Sequence, residues 1–288
     1  MIAVIGATGN TGRAVVSELK QLGEDPVCIV RDPDKARDVL GDDARTVVAE
    51  VDDRGALDTA LSGVKRVIIA TGHNPQLAEQ QINILEAAKA AGAELVVKLS
   101  GGSAVVGPQS ESVVGRGHHE VEQAMKQSGL GWVILRPGLF MQNTFMQAAL
   151  IKGEGKMVLP FTADLPIAFI DVRDTGALAA RILRDPDAHA GQDYSFTGTQ
   201  SNFPAFAAVF SEVLGKPISY IAASLEQAEQ ALKARGLPDW LVAHQLAIAR
   251  IAANGGFSEE ATKPIRDIVG RAPLTMRQFV EDHKAMFT

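Results

Sequence analysis

Ile2-Ala3-Val4-Ile5-Gly6-Ala7-Thr8-Gly9-Asn10-Thr11-Gly12-Arg13 is a short apolar strand that runs into a glycine-spaced turn and then into a helix. Glycine at 6 permits the tight turn, and glycine at 9 lets backbone approach a pyrophosphate with no β-carbon in the way. Glycine at 12 lets the helix pack closely on the sheet. The positive helix N-terminus then faces the phosphates. The stretch predicts a dinucleotide site made by Gly6, Thr8, Gly9, Asn10, Thr11 and Gly12. Three glycines alone are a weak signal, because purely structural turns carry them too. The setting strengthens it: residues 11–22 read as a helix with Ala14, Val15 and Leu19 inward, Gly23 ends it, and residues 27–30 supply the next strand at βαβ distance.

Working outward, apolar runs at 2–5, 27–30, 46–49, 67–70, 95–99 and 133–135 are short and nearly uninterrupted, as parallel strands covered on both faces should be. Helical patterns fill the gaps. Asp32-Pro33-Asp34-Lys35 offers a cap, a first-turn proline and an acidic first turn, and residues 76–91 carry Leu77, Ile82, Ile84, Leu85 and Ala88 at near-helical spacing. The fold class is therefore α/β: a doubly wound parallel sheet (Rossmann fold) with a smaller, mostly helical C-terminal part. The expected division is a dinucleotide-binding domain over 1–136, its sheet completed by parts of 167–197, and a substrate-binding lid mainly over 137–288. Within the lid, strands are expected at 156–161, 194–196 and 218–221, and helices at 174–183, 203–214, 225–235, 240–253, 258–269 and 276–286. Ser224 with Gln227 and Thr275 with Gln278 read as capping boxes.

Composition sets the surroundings. With 288 residues, 46% of them hydrophobic and 22% charged, the chain has enough apolar content for a large core. A net charge of −6 and no basic run argue against a nucleic-acid surface. The single cysteine, Cys28, falls in an expected buried strand, so it reads as packing. No apolar run suits a bilayer, and the first strand starts at residue 2, so a cytoplasmic protein without membrane contact is expected.

After the second strand, a site for NAD places an acid to meet the adenosine ribose, but this chain has Arg31 there. A guanidinium suits a 2′-phosphate, and such charge-assisted contacts contribute about 1.5–3 kcal/mol, or roughly 10- to 100-fold. NADP(H) is therefore the expected cofactor, with NAD(H) as the lesser one. Asp32 has two readings, a ribose contact or a helix cap. Lys35 adds positive potential, and Asp52 ends the third strand where adenine would lie.

The Tyr-x-x-x-Lys pair of ordinary short-chain dehydrogenases is absent, since four residues after Tyr194 and Tyr220 come Gly198 and Ser224. In its place stands Gly117-His118-His119-Glu120-Val121-Glu122. The glycine turn, Val30-Arg31-Asp32-Pro33-Asp34-Lys35-Ala36, His118-x-x-x-Glu122, Leu135-Arg136-Pro137-Gly138, Asn143, Ile170-Asp171-Val172-Arg173-Asp174 and Ser211-Glu212-Val213-Leu214-Gly215-Lys216 together resemble the NmrA-like branch of atypical short-chain dehydrogenases. The likeness is greatest to bacterial NAD(P)H:quinone oxidoreductases and dye reductases. The resemblance implies either an enzyme that passes hydride to a quinone-like small molecule without flavin or metal, or a cofactor-binding sensor that regulates a partner protein. A homodimer is compatible with both.

Chemistry separates what such a site needs. Reduction of a simple ketone builds an alkoxide and benefits from a positioned acid, about 10²–10⁴-fold. A quinone spreads the charge over its ring and a cationic dye is neutralised by hydride, so juxtaposition carries more of the work. His118 is the catalytic candidate: with an ordinary pKa near 6.5 it would be about one-quarter protonated at neutral pH. Its other reading is a neutral structural histidine. Thr71, Gly72 and Ser100 are expected along the cofactor, and His73, Ser103, Phe140 and Asn143 at the substrate. Arg136 through Phe140 should shape the nicotinamide end. Lys98 stands one residue before an obvious pocket-facing position and is left outside the site. No metal-ligand cluster is recognisable.

Overall fold

The computed structural model describes residues 1–288. Strand and helix alternate through β1 (Ile2–Ile5), α1 (Asn10–Gln21), β2 (Val27–Val30), α2 (Pro33–Leu40), β3 (Thr46–Val48), α3 (Arg54–Ala60), β4 (Arg66–Ile69), α4 (Leu77–Ala90), β5 (Leu95–Leu99), α5 (Val113–Gln127) and β6 (Gly131–Pro137). Every apolar run read from the sequence forms a strand, with ends within two residues of expectation. Asp32 caps α2, accepting the Lys35 N–H at 2.9 Å, with Pro33 in the first turn.

After β6 come β7 (Leu139–Phe140), a 3-10 turn (Met141–Gln147), α6 (Ala148–Glu154), β8 (Lys156–Leu159), β9 (Ile167–Ile170), α7 (Val172–Arg184), α8 (Pro186–His189) and β10 (Gln192–Phe196). The chain ends with β11 (Gln200–Ser201), α9 (Phe203–Leu214), β12 (Ser219–Ala222), α10 (Leu225–Ala234), α11 (Asp239–Ala253), a π turn (Ile265–Val269), α12 (Met276–Asp282) and α13 (Lys284–Phe287). Both capping boxes form.

Seven strands make the central sheet in the order β10-β6-β5-β4-β1-β2-β3, every neighbour parallel. Chain direction across the sheet reverses between β4 and β1, and ligands of such sheets bind outside the strand ends at that point. Alternation along the strands divides the core. Val4, Ile68 and Val97 pack on Val15 and Leu19 of α1 and Leu178 of α7, while Ile5, Ile69 and Val96 pack on Ile84 of α4 and Val121 of α5. A third core, rich in phenylalanine, lies in the C-terminal part around Phe169, Phe206 and Phe279.

Two expected helices differ. Over 258–269 only the π turn after Pro264 forms, because the preceding backbone is bonded elsewhere: Thr197 N–H donates to Ala261 O at 2.9 Å and Ala261 N–H to Thr197 Oγ1 at 2.7 Å. The stretch 276–286 breaks at His283 into α12 and α13.

Candidate active site

The glycine turn is held by backbone. Gly6 has φ +85°, and a β-carbon there would fall 2.3 Å from Ala70 O at the end of β4; one on Gly12 would fall 2.1 Å from Gly6 O. No other residue fits either position. Gly9 caps α1 without a side chain, whereas Asp32, Asp53, Ser112 and Asp171 close α2, α3, α5 and α7. The first-turn N–H groups of α1 are therefore free for an anion, and the residues present fit a pyrophosphate. Thr8 and Thr11 flank the turn, and Asn10 Oδ1 accepts from Arg13 at 2.7 Å.

At the end of β2, Arg31 and Lys35 are exposed. Arg37 pairs with Asp34 and Asp42, which leaves Arg31 and Lys35 as the cations here without a carboxylate partner. Asp52 is exposed beyond β3 and accepts from Gln80 at 3.2 Å.

A cavity of about 960 Å³ opens at the ends of β4, β5 and β6. Thr71, His73, Ser100, His118, Phe140 and Asn143 line its sheet side, and Phe161, Phe203 and Phe257 face them from the C-terminal part. Three sequence expectations fall outside it. Gly72 is exposed beside the rim, and Ser103 turns toward β10, its Oγ 3.1 Å from Ser195 Oγ. Arg136 is held behind the wall: its Nη2 donates to Glu122 Oε2 at 2.6 Å and its Nε to Asp193 Oδ1 at 2.8 Å, while Pro137 to Phe140 supply the lining. Glu122 also accepts from Ser100 Oγ at 2.5 Å, so His118-x-x-x-Glu122 presents one residue to the cavity and one to the wall that supports it.

Lys98 is the residue the sequence reading misplaced. It shares the face of Val96 beneath α4 and α5, is fully buried, and its Nζ reaches Gln81 Oε1 at 2.5 Å, His118 Nδ1 at 2.9 Å and Leu99 O at 3.4 Å. Gln81 in turn donates to Thr71 Oγ1 at 2.8 Å. Burial pulls the Lys98 pKa down to about 7, with Glu122 opposing the shift and Arg136 adding to it. Two polar residues in phase with apolar stripes were the available signal: Lys98 two residues after Val96, and Gln81 among Leu77, Ile84, Leu85 and Ala88.

Three histidines form a chain that begins at Lys98 with His118. His73 touches His118 edge to face at 5.5 Å and His244 of α11 at 5.2 Å, and His244 Nδ1 lies 2.7 Å from Ser112 Oγ, the cap of α5. His118 is 2% exposed, and burial first, then Lys98, holds its pKa well below 6.5. It is therefore neutral at pH 7, which corrects the expectation of a quarter-protonated acid. His73 is exposed, but into the cavity, and desolvation with the His244 and Lys98 charges lowers its pKa too. His118 Nε2 is buried with no hydrogen-bond partner. No group of three or more His, Cys, Asp or Glu side chains is placed to hold a metal ion, and no helix is long and apolar enough to cross a membrane.

Strand-end sites on doubly wound sheets take nucleotides, and the chain's relatives make this one an NAD(P)H-dependent oxidoreductase. The chain belongs to the NmrA-like family, whose model matches residues 1–265. It is 32% identical over 288 residues to an NAD(P)H azoreductase of Xenophilus azovorans, covering 100% of this chain and 99% of that one. It is 30% identical over 284 residues to quinone oxidoreductase 2 of Escherichia coli, covering 97% of each. The crystal structure of an NADPH-dependent quinone oxidoreductase from E. coli in complex with NADPH superposes with a TM-score of 0.85 at 30% identity, covering 99% of this chain and 100% of that one.

Proposed function

We infer that the chain reduces a quinone-like or otherwise conjugated, electron-poor acceptor at the expense of NADPH, without flavin or metal. One observation carries the reading: the strand-end cavity combines an apolar lining with neutral histidines and holds no tyrosine. Tyr220 stands behind the wall, its hydroxyl donating to Phe161 O, and the Tyr194 hydroxyl bonds His189 Nδ1, so neither ring lines the cavity. A site without a tyrosine acid suits acceptors that delocalise the incoming charge. The similarity to an azoreductase and a quinone oxidoreductase supports the same reading.

The bound nicotinamide supplies the hydride. Gly6, Gly9 and Gly12 admit the pyrophosphate, the N–H groups of Asn10, Thr11 and Gly12 hold it, and Thr8 borders it. Arg31 and Lys35 receive the 2′-phosphate, Asp52 borders the adenine, and Thr71, Gly72 and Ser100 line the path toward the cavity. Phe140 and Asn143 hold the acceptor against His73 and His118. Steady-state NADPH oxidation against a panel of quinones and dyes tests the proposal, and turnover with at least one is expected. Tight NADPH binding with no turnover on any acceptor would instead favour a sensor that regulates a partner.

A further inference from the structure

Lys98 as an ammonium has three N–H donors and no lone pair, and its Nζ has three contacts, Gln81 Oε1, Leu99 O and His118 Nδ1, so in that form it donates to each. Each acceptor fixes something. With Nδ1 accepting from Lys98, neutral His118 must carry its proton on Nε2. That N–H is buried and unpartnered, an arrangement costly enough that a buried donor of this kind calls for an explanation. His118 is one of the residues that line the cavity.

We propose that Lys98 and His118 form a two-residue proton relay for the acceptor, with His118 Nε2–H touching the oxygen that receives the proton and Lys98 acting as the positioning and recharging residue behind it. The inference rests on the function proposed above. In the step, the His118 Nε2–H bond breaks as the acceptor O–H bond forms, and a Lys98 N–H proton moves to His118 Nδ1. The electron pair comes with the hydride. His118 ends neutral in the opposite tautomer, Lys98 ends as an amine, and water returns its proton between turnovers.

The charges that face the pair set its pH response. Glu122 on α5 favours the ammonium, while Arg136 on β6, His73 after β4 and His244 on α11 oppose positive charge, and Gln81 on α4 is neutral. Burial outweighs Glu122, so the ammonium that feeds the relay is lost as pH rises through about 7.

A cationic triphenylmethane dye is neutralised by hydride and needs no proton, which gives a comparison that structural damage cannot imitate. Lys98→Met is expected to lower kcat for a quinone about 10-fold or more while dye reduction changes less than about twofold, with KM for NADPH unchanged. The wild-type quinone kcat should fall as pH rises through about 7, and this fall should be absent in Lys98→Met. Equal loss on both acceptors, or an unchanged quinone rate and profile, overturns the relay. ¹⁵N-histidine NMR of the unliganded wild-type protein reads the pair without a variant or turnover: His118 in the Nε2–H form supports the relay, and the Nδ1–H form overturns it. A wild-type protein that reduces neither quinone nor dye would overturn the proposed function, and the tautomer would still judge the Lys98–His118 pairing.

Discussion

The two ends of the binding groove are built on opposite physical terms. At the glycine turn, shape is made by backbone alone: Gly6, Gly9 and Gly12 bring N–H groups to one point, and charge enters only through the exposed Arg31 and Lys35 nearby. At the cavity end, Lys98, His118, Glu122 and Arg136 are withdrawn from water and hold one another in place. Backbone geometry offers fixed N–H donors with no proton affinity to tune. Desolvated side chains are where proton affinity can be shifted, which is why the reading proposed above puts the chemistry at that end.

The contrast breaks most easily at the cavity end. Arg136→Met leaves the Glu122 carboxylate buried without its guanidinium, and a loss of about 3–5 kcal/mol in chemical denaturation is expected. Glu122→Gln added to it should restore part of that loss; no restoration would mean that Arg136 acts by packing. At the turn, Gly12→Ala should cost about 3 kcal/mol through a clash with Gly6 O, and NADPH binding followed by fluorescence should collapse with it. Arg31→Ala leaves the backbone intact and should weaken NADPH binding about 10- to 100-fold while NADH binding holds.

Acid should strike the cavity end, where three histidines are packed together. His73, His118 and His244 all have pKa values below 6.5 in the folded chain, so the unfolded chain takes up protons first as pH falls. Their contribution to stability is intact above pH 6.5 and is lost progressively below it. Thermal midpoints between pH 7 and 5 should drop less for His73→Gln than for the native chain. The smallest effect belongs to Asp32→Ala, about 1 kcal/mol from the lost cap on α2, with the NADPH-to-NADH preference unchanged.

How much of this could be read from the chain follows the same division. Gly6 to Gly12, Arg31 and the cap at Asp32 are local features, in which spacing of a few residues already fixes what meets what. His118 and Glu122 were visible as a pair one helical turn apart, but not that one would face the cavity and the other Arg136 and Ser100. The place of Lys98 on its strand says nothing of where its long side chain ends; that chain runs under α4 and α5 and ends, still buried, at His118. The Lys98 contacts join β5, α4 and α5, and Arg136 joins α5 to β10, pairings that depend on strand order and therefore on the finished sheet.

Ser112 gives the two halves a shared joint. Its hydroxyl oxygen accepts the Gly115 N–H that starts α5 and also meets His244 from α11, 2.7 Å away. The helix that lines the C-terminal side of the cavity is thereby pinned to the first turn of the helix that carries His118. For anyone grafting the C-terminal helices of one family member onto another to change acceptor range, residues 112 and 244 should travel together. A chimera that splits them would be expected to misplace α5 however well the new pocket suits its acceptor.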